Sequence, residues 1–119
     1  GFTRRMPNTH HIWACHSYPL GDYGVTDGSR WRVYMLVRCD ANTDSGTAMT
    51  VGVYDDAARR SIVSKPVPVA EIRGQEYRLI DLGVHTLGTL AYAWAAPVVR
   101  DPAEVEAVYV DRVFMLREK

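Results

Sequence analysis

The sequence is short of most features that betray a function. It holds two cysteines, two phenylalanines and no excess charge, with 14 basic and 14 acidic residues in 119. A balanced charge offers no electrostatic footprint for nucleic acid or for an anionic membrane surface. No apolar run approaches the ~20 residues needed to span a bilayer. The N-terminal "GFTRRMPNTH" has two arginines but no hydrophobic stretch behind them, so it is not an intact signal peptide. The chain starts at Gly1, and the expectation is one domain, residues 1–119, cut from a longer polypeptide. There is no GxSxG turn for a nucleophilic serine and no GxxxxGK[ST] phosphate loop. The acidic residues of the loops are plentiful, but ~120 residues make a small glycosidase cleft, so no hydrolytic carboxylate pair is assigned. Cys15 and Cys39 leave two readings open, a disulfide in an oxidising compartment or two separate buried thiols.

A paired metal-binding element is also lacking. "NTHHIWACHSYPL" crowds His10, His11, Cys15 and His16 together, yet His85 and Cys39 are the only distant partners. On an extended strand His10 and His11 point to opposite faces, as do His11 and His16. Cys15 shares a face with His11, and His10 with His16, but at about 13 Å and 20 Å neither pair chelates. A metal-dependent hydrolase built on these histidines is therefore the weakest of three functional readings.

What the chain does have is strand periodicity. In "WRVYMLVRC" Val33, Met35, Val37 and Cys39 fall on one face, and Arg32, Tyr34, Leu36 and Arg38 on the other. "TAMTVGVY" places Met49, Val51 and Val53 inward and Thr50, Gly52 and Tyr54 outward. The turn formers "DANTDSG" between these runs suggest a hairpin. "SIVSKPVPVAEI" carries two prolines, which fits an edge strand or an extended loop. "QEYRLIDLG" and "GTLAYAWAAP" read as strands separated by "GVHTLG", and "VEAVYVDRVFMLR" as the last strand. Seven or eight short strands with turns between them predict an all-β fold, an antiparallel β-sandwich or jelly roll.

Aromatic residues supply the main functional signal. Three tryptophans and seven tyrosines pair a flat apolar face with a polar tip, which suits stacking on the C–H faces of sugar rings. In "LAYAWAAP" Tyr92 and Trp94 share one face and Ala91, Ala93 and Ala95 the other. If the alanines face the opposing sheet, Tyr92 and Trp94 form an exposed platform about 7 Å apart. If they do not, the two aromatics belong to the core. Asp111 interrupts the apolar last strand beside Arg112, and needs a partner, either a cation such as Ca²⁺ or a salt bridge.

At "VYVDRVFML" the sequence resembles the closing strand of galactose-binding-like jelly rolls, which include several carbohydrate-binding module families. The ordered set "WRVYMLVRCD", "GTAMTVGVYDD", "EYRLIDLG", "LAYAWAAP" and "VEAVYVDRVFM" also resembles a C-terminal β-sandwich domain of large bacterial proteins with glycosidase-like domains. The resemblance covers roughly residues 13 to 116. It implies a non-catalytic accessory domain, extracellular or on the bacterial surface, monomeric, bound to a polysaccharide or oligosaccharide and attached to a catalytic domain of the same polypeptide. It implies Asp111 as a ligand of structural Ca²⁺, although no acidic residue near the N-terminus completes that site. Trp13, Trp31, Tyr34, Tyr92 and Trp94 are the candidate stacking residues, with Arg38, Arg32 or His16 donating hydrogen bonds. The arginines lean towards an acidic glycan. The second reading, from a different class, is a structural sandwich that packs on a catalytic domain and binds no sugar.

Overall fold

A computed structural model describes residues 4–7 and 15–118. Among the described residues, eight strands divide between two four-stranded antiparallel sheets. They are β1 (Arg4–Pro7), β2 (Cys15–His16), β3 (Ser29–Ala41), β4 (Thr47–Asp55), β5 (Arg60–Pro68), β6 (Arg78–Leu87), β7 (Ala91–Pro97) and β8 (Val105–Glu118). Sheet A runs β1-β8-β3-β6 and sheet B runs β2-β7-β4-β5. Each early strand thus pairs with its counterpart from the other end: first with last, second with seventh, third with sixth, fourth with fifth. This is one long hairpin, its tip at the β4–β5 turn, wound into two facing sheets: a jelly roll.

The alternation seen in the sequence makes the core. Val33, Met35, Val37 and Cys39 face Met49, Val51 and Val53 across the sandwich, none more than 1% exposed. Ala91, Ala93 and Ala95 join them from β7. Cys15 and Cys39 are separate buried thiols on different sheets, and no disulfide joins them. β5 is the edge of sheet B, where Pro66 and Pro68 are tolerated. One helical turn, α1 (Val69–Ile72), follows it and buries Val69 and Ile72.

Two expectations need correction. β3 and β4 do not form a hairpin: β3 pairs with β6 and β8, β4 with β5 and β7. The loop between them crosses from one sheet to the other, held by Arg100 Nη1 donating to Ser45 O at 2.8 Å. Two consecutive strands bury their apolar faces equally well side by side or face to face, so alternation cannot separate the cases. "GVHTLG" is also not a loop, because β6 continues through it to Leu87. Gly83, at φ +87°, forms a bulge there, opposite the register shift between Arg32 and Tyr34. Asp81 Oδ1 accepts the Gly83 N–H at 2.8 Å and fixes the bulge. That hydrogen bond, with Arg32 beside it, holds the Asp81 carboxyl below its ordinary range.

Candidate functional site

The outward-facing side chains of sheet B assemble three rings in a row. His16 on β2, Tyr92 on β7 and Tyr54 on β4 follow one another across the strands. Ring centres lie 5.3 Å apart from His16 to Tyr92 and 5.6 Å from Tyr92 to Tyr54, tilted by 51° and 45°. Tyr92 and Tyr54 are directly opposed in register, and His16 is opposed to Trp94, two residues further along β7. The tyrosines are half-buried and His16 is exposed. Each therefore keeps ring edge or face open to solvent.

Each ring is positioned by the backbone beneath it. β2 is only two residues long, but Ser17 extends its grip on β7. The Ser17 N–H donates to Ala93 O at 2.8 Å, and Ser17 Oγ accepts the Ala93 N–H at 3.0 Å. His16 Nδ1 lies 2.9 Å from Ser17 O. A carbonyl only accepts, so this contact assigns the ring proton to Nδ1 and leaves Nε2 as an outward acceptor in the neutral ring. Burial, then the charge of Asp56 and the neighbouring Tyr54, raise the Tyr92 hydroxyl above its ordinary pKa. It stays a hydrogen-bond donor throughout the physiological range.

Trp94 shares this face but does not stand up from it. The alanines of β7 face the core, as the platform reading required, yet the indole is only 7% exposed. It lies over Gly52, where an added Cβ would come within 2.7 Å of Trp94 Cζ2 and would also strike Val63 O. Gly52 is thus the notch that lets the indole lie flat against the sheet. Trp94 is the floor beside the Tyr row rather than an exposed platform.

The remaining candidates go elsewhere. Trp13, with His10 and His11, lies outside the described residues. Trp31 points inward, packs against the core and donates Nε1 to Ser29 Oγ at 2.7 Å. Tyr34 and Arg38 lie on the outer face of sheet A, on the opposite side of the sandwich from Tyr92. Three arginines of that sheet are matched by carboxylates: Arg32 with Asp81 at 2.9 Å, Arg38 with Asp40 at 2.7 Å, Arg112 with Asp111 at 3.2 Å. Tyr54 was legible as an outward residue, but only the β4–β7 register reveals that it meets Tyr92.

Asp111 sits at a bulge in β8, between Val110 paired with Val37 and Arg112 paired with Leu36. Its Oδ2 accepts a hydrogen bond from Arg112 Nε. Among the described residues, no group of three or more His, Cys, Asp or Glu side chains is placed to hold a metal ion.

No protein-family model matches the sequence, and no curated protein matches it. Solved structures share the fold. The EclA C-terminal domain, described as a sugar-binding protein, superposes with a TM-score of 0.61 at 13% identity, over 96% of this chain and 76% of that one. The CBM22-1–GH10 modules of Clostridium thermocellum xylanase 10B, complexed with xylohexaose, superpose with a TM-score of 0.55 at 13% identity. That match covers 98% of this chain and 25% of the xylanase chain, so the present chain spans about a quarter of that larger protein.

Proposed function

We propose that this domain is a non-catalytic carbohydrate-binding module whose glycan lies across the outer face of sheet B. The observation that carries the reading is the row His16–Tyr92–Tyr54, three rings in contact across three strands. Each tyrosine offers an apolar face for a sugar C–H face and a hydroxyl for its rim. His16 Nε2 adds an acceptor at one end. Support comes from the shared fold with structures described as sugar-binding and as a carbohydrate-binding module with xylohexaose. The ligand is a neutral polysaccharide or oligosaccharide rather than an acidic one. Asp56 lies beside the row, and the arginines that suggested an acidic ligand are on the other sheet, engaged with carboxylates. In this role the domain holds an attached polysaccharide-active enzyme on its substrate outside the cell.

Affinity electrophoresis through gels of neutral polysaccharides tests the proposal. The domain is expected to be retarded by at least one of them, and Tyr92→Ala to lose that retardation by tenfold or more in apparent affinity, a loss on the order of 1.4 kcal/mol. Mobility unaffected by every polysaccharide, or identical for the variant, would overturn it.

One observation favours the structural reading as a second role. Leu79, Phe114 and Leu116 stand 54%, 40% and 60% exposed on sheet A, an apolar strip suited to packing on a neighbouring domain. The two roles use opposite faces and are compatible.

A further inference from the structure

A separate pocket opens where β3 outruns β6. β6 begins opposite Val37, and beyond that point the segment after α1 takes the edge of β3. Arg73 bridges to Cys39 there, and the Gly74 N–H donates to Cys39 O at 3.1 Å. The outcome is a pocket of 180 Å³ with buried Cys39 beneath and Asp40, Asn42, Arg73, Gln75 and Glu106 around it.

One wall of this pocket is built rigidly. The Arg38 guanidinium stacks 3.8 Å from the centre of the Tyr109 ring and 5.6 Å from that of Tyr77. It donates to Asp40 Oδ1 at 2.7 Å and to Gly74 O at 3.3 Å. The Tyr109 hydroxyl donates to Asp40 Oδ2 at 2.8 Å and accepts from Arg5 Nε at 3.1 Å. Burial alone would lower the Arg38 pKa, yet its hydrogen bond to Asp40 and that charge outweigh burial and hold it above the ordinary value. Each Asp40 oxygen accepts one strong hydrogen bond from this wall and keeps capacity for another donor. The Asn42 amide nitrogen donates to Ala103 O at 3.0 Å, which orients its oxygen as a further acceptor.

We propose that this pocket is a second glycan site, taking a single neutral, hydroxyl-bearing sugar ring at a chain end. The volume is well under the ~300 Å³ at which pockets for larger organic ligands begin, so it holds one ring and not two. Asp40 and Asn42 supply acceptors and the Gln75 amide both a donor and an acceptor, while Arg73, paired with Asp44 at 2.8 Å, and Glu106, paired with Arg5 at 3.5 Å, keep further donor and acceptor capacity. Adjacent hydroxyls, each both donor and acceptor, satisfy such a mixed set better than any singly charged group does. Two carboxylates disfavour an anion, and the arginines around them disfavour a cation. The pocket belongs to sheet A and is independent of the sheet B row. A single domain carrying both sites engages the side of one chain and the end of another, which raises avidity for a polysaccharide network.

Isothermal titration with a panel of neutral methyl glycosides (hexopyranosides, pentopyranosides and pentofuranosides) tests this. At least one is expected to bind with a dissociation constant on the order of 1 mM. Gln75→Ala and Asp40→Asn should each weaken it tenfold or more, whereas Tyr92→Ala should leave it within twofold. Gln75 is exposed, so its variant keeps the test valid even if Asp40→Asn unsettles the wall. Absence of heat with every glycoside at tens of millimolar would overturn the proposal. So would binding lost in Tyr92→Ala but kept in Gln75→Ala, an outcome that assigns the ring to sheet B instead. Failure here leaves the polysaccharide retardation and its dependence on Tyr92 untouched.

Discussion

Cys39 shows how far a residue type can mislead at the scale of one side chain. By type it is a metal ligand or a nucleophile, but the fold buries it completely against Val108 in sheet A. Burial, reinforced by the charge of Asp40, pushes its pKa up to about 11 from an ordinary 9.0. The thiol is therefore neutral and inert in the native domain. A raised pKa means that the stability this group lends is complete below 9.0 and is lost as the pH rises through about 11. Tyr92, also raised, acts with the same sign above its ordinary 10.0. The denaturant midpoint should fall over that alkaline window. A thiol reagent at neutral pH should label Cys39 only after unfolding, and rapid labelling of the native protein would contradict this account. The candidate site was partly readable at this scale. His16, Tyr92 and Trp94 do meet, whereas Trp31 shares the parity of Val33 and so points inward, a conflict with its nomination that strand alternation already contained.

At the scale of elements, alternation carried most of what could be known in advance. The inward sets of β3 and β4 follow from polar and apolar residues taking turns, whereas β7 alternates alanine with aromatics and left either face as the inward one, and the prolines of β5 fitted an edge strand or an extended loop. Pairing did not follow, because partner choice and register depend on the whole sandwich rather than on either strand. The β3–β4 hairpin failed for that reason, and the Tyr54–Tyr92 contact stayed invisible. β1 also went unforeseen: four residues pairing with β8 are too few to show a period. Gly52 is where register becomes energetics. Its missing side chain seats the Trp94 indole and lets β5 approach, so Gly52→Ala should destabilise the domain by about 1–3 kcal/mol. It should also weaken glycan binding, since a lifted indole disturbs the neighbouring rings. Urea unfolding checks the first effect, and an unchanged midpoint would show that the notch does not matter.

The whole molecule puts the row of rings and the apolar strip on opposite sides of one core. Jelly-roll winding sends β3 to one sheet and β4 to the other, so Tyr34 and Tyr54 end on opposite outer faces. The all-β sandwich was legible from strand count and turn spacing, while the placement of the ring row and the apolar strip on opposite faces was not. The calcium implied by Asp111 also belongs to this scale, since such an ion would tie β8 to the rest of the sandwich. With Arg112 already bound to that carboxylate, added calcium or a chelator should leave the melting temperature unchanged. A rise with calcium that a chelator reverses would instead establish the metal site.

The central claim is that sheet B carries the glycan. Amide and aromatic NMR shifts recorded while the polysaccharide that retards the domain, supplied as a soluble oligosaccharide, is titrated in give the most direct test. The account predicts shifts concentrated at His16, Gly52, Tyr54, Tyr92 and Trp94, with Tyr34, Phe114 and Leu116 unmoved. Shifts centred on Tyr34, Phe114 and Leu116, with the Tyr54–Tyr92 row silent, would contradict it.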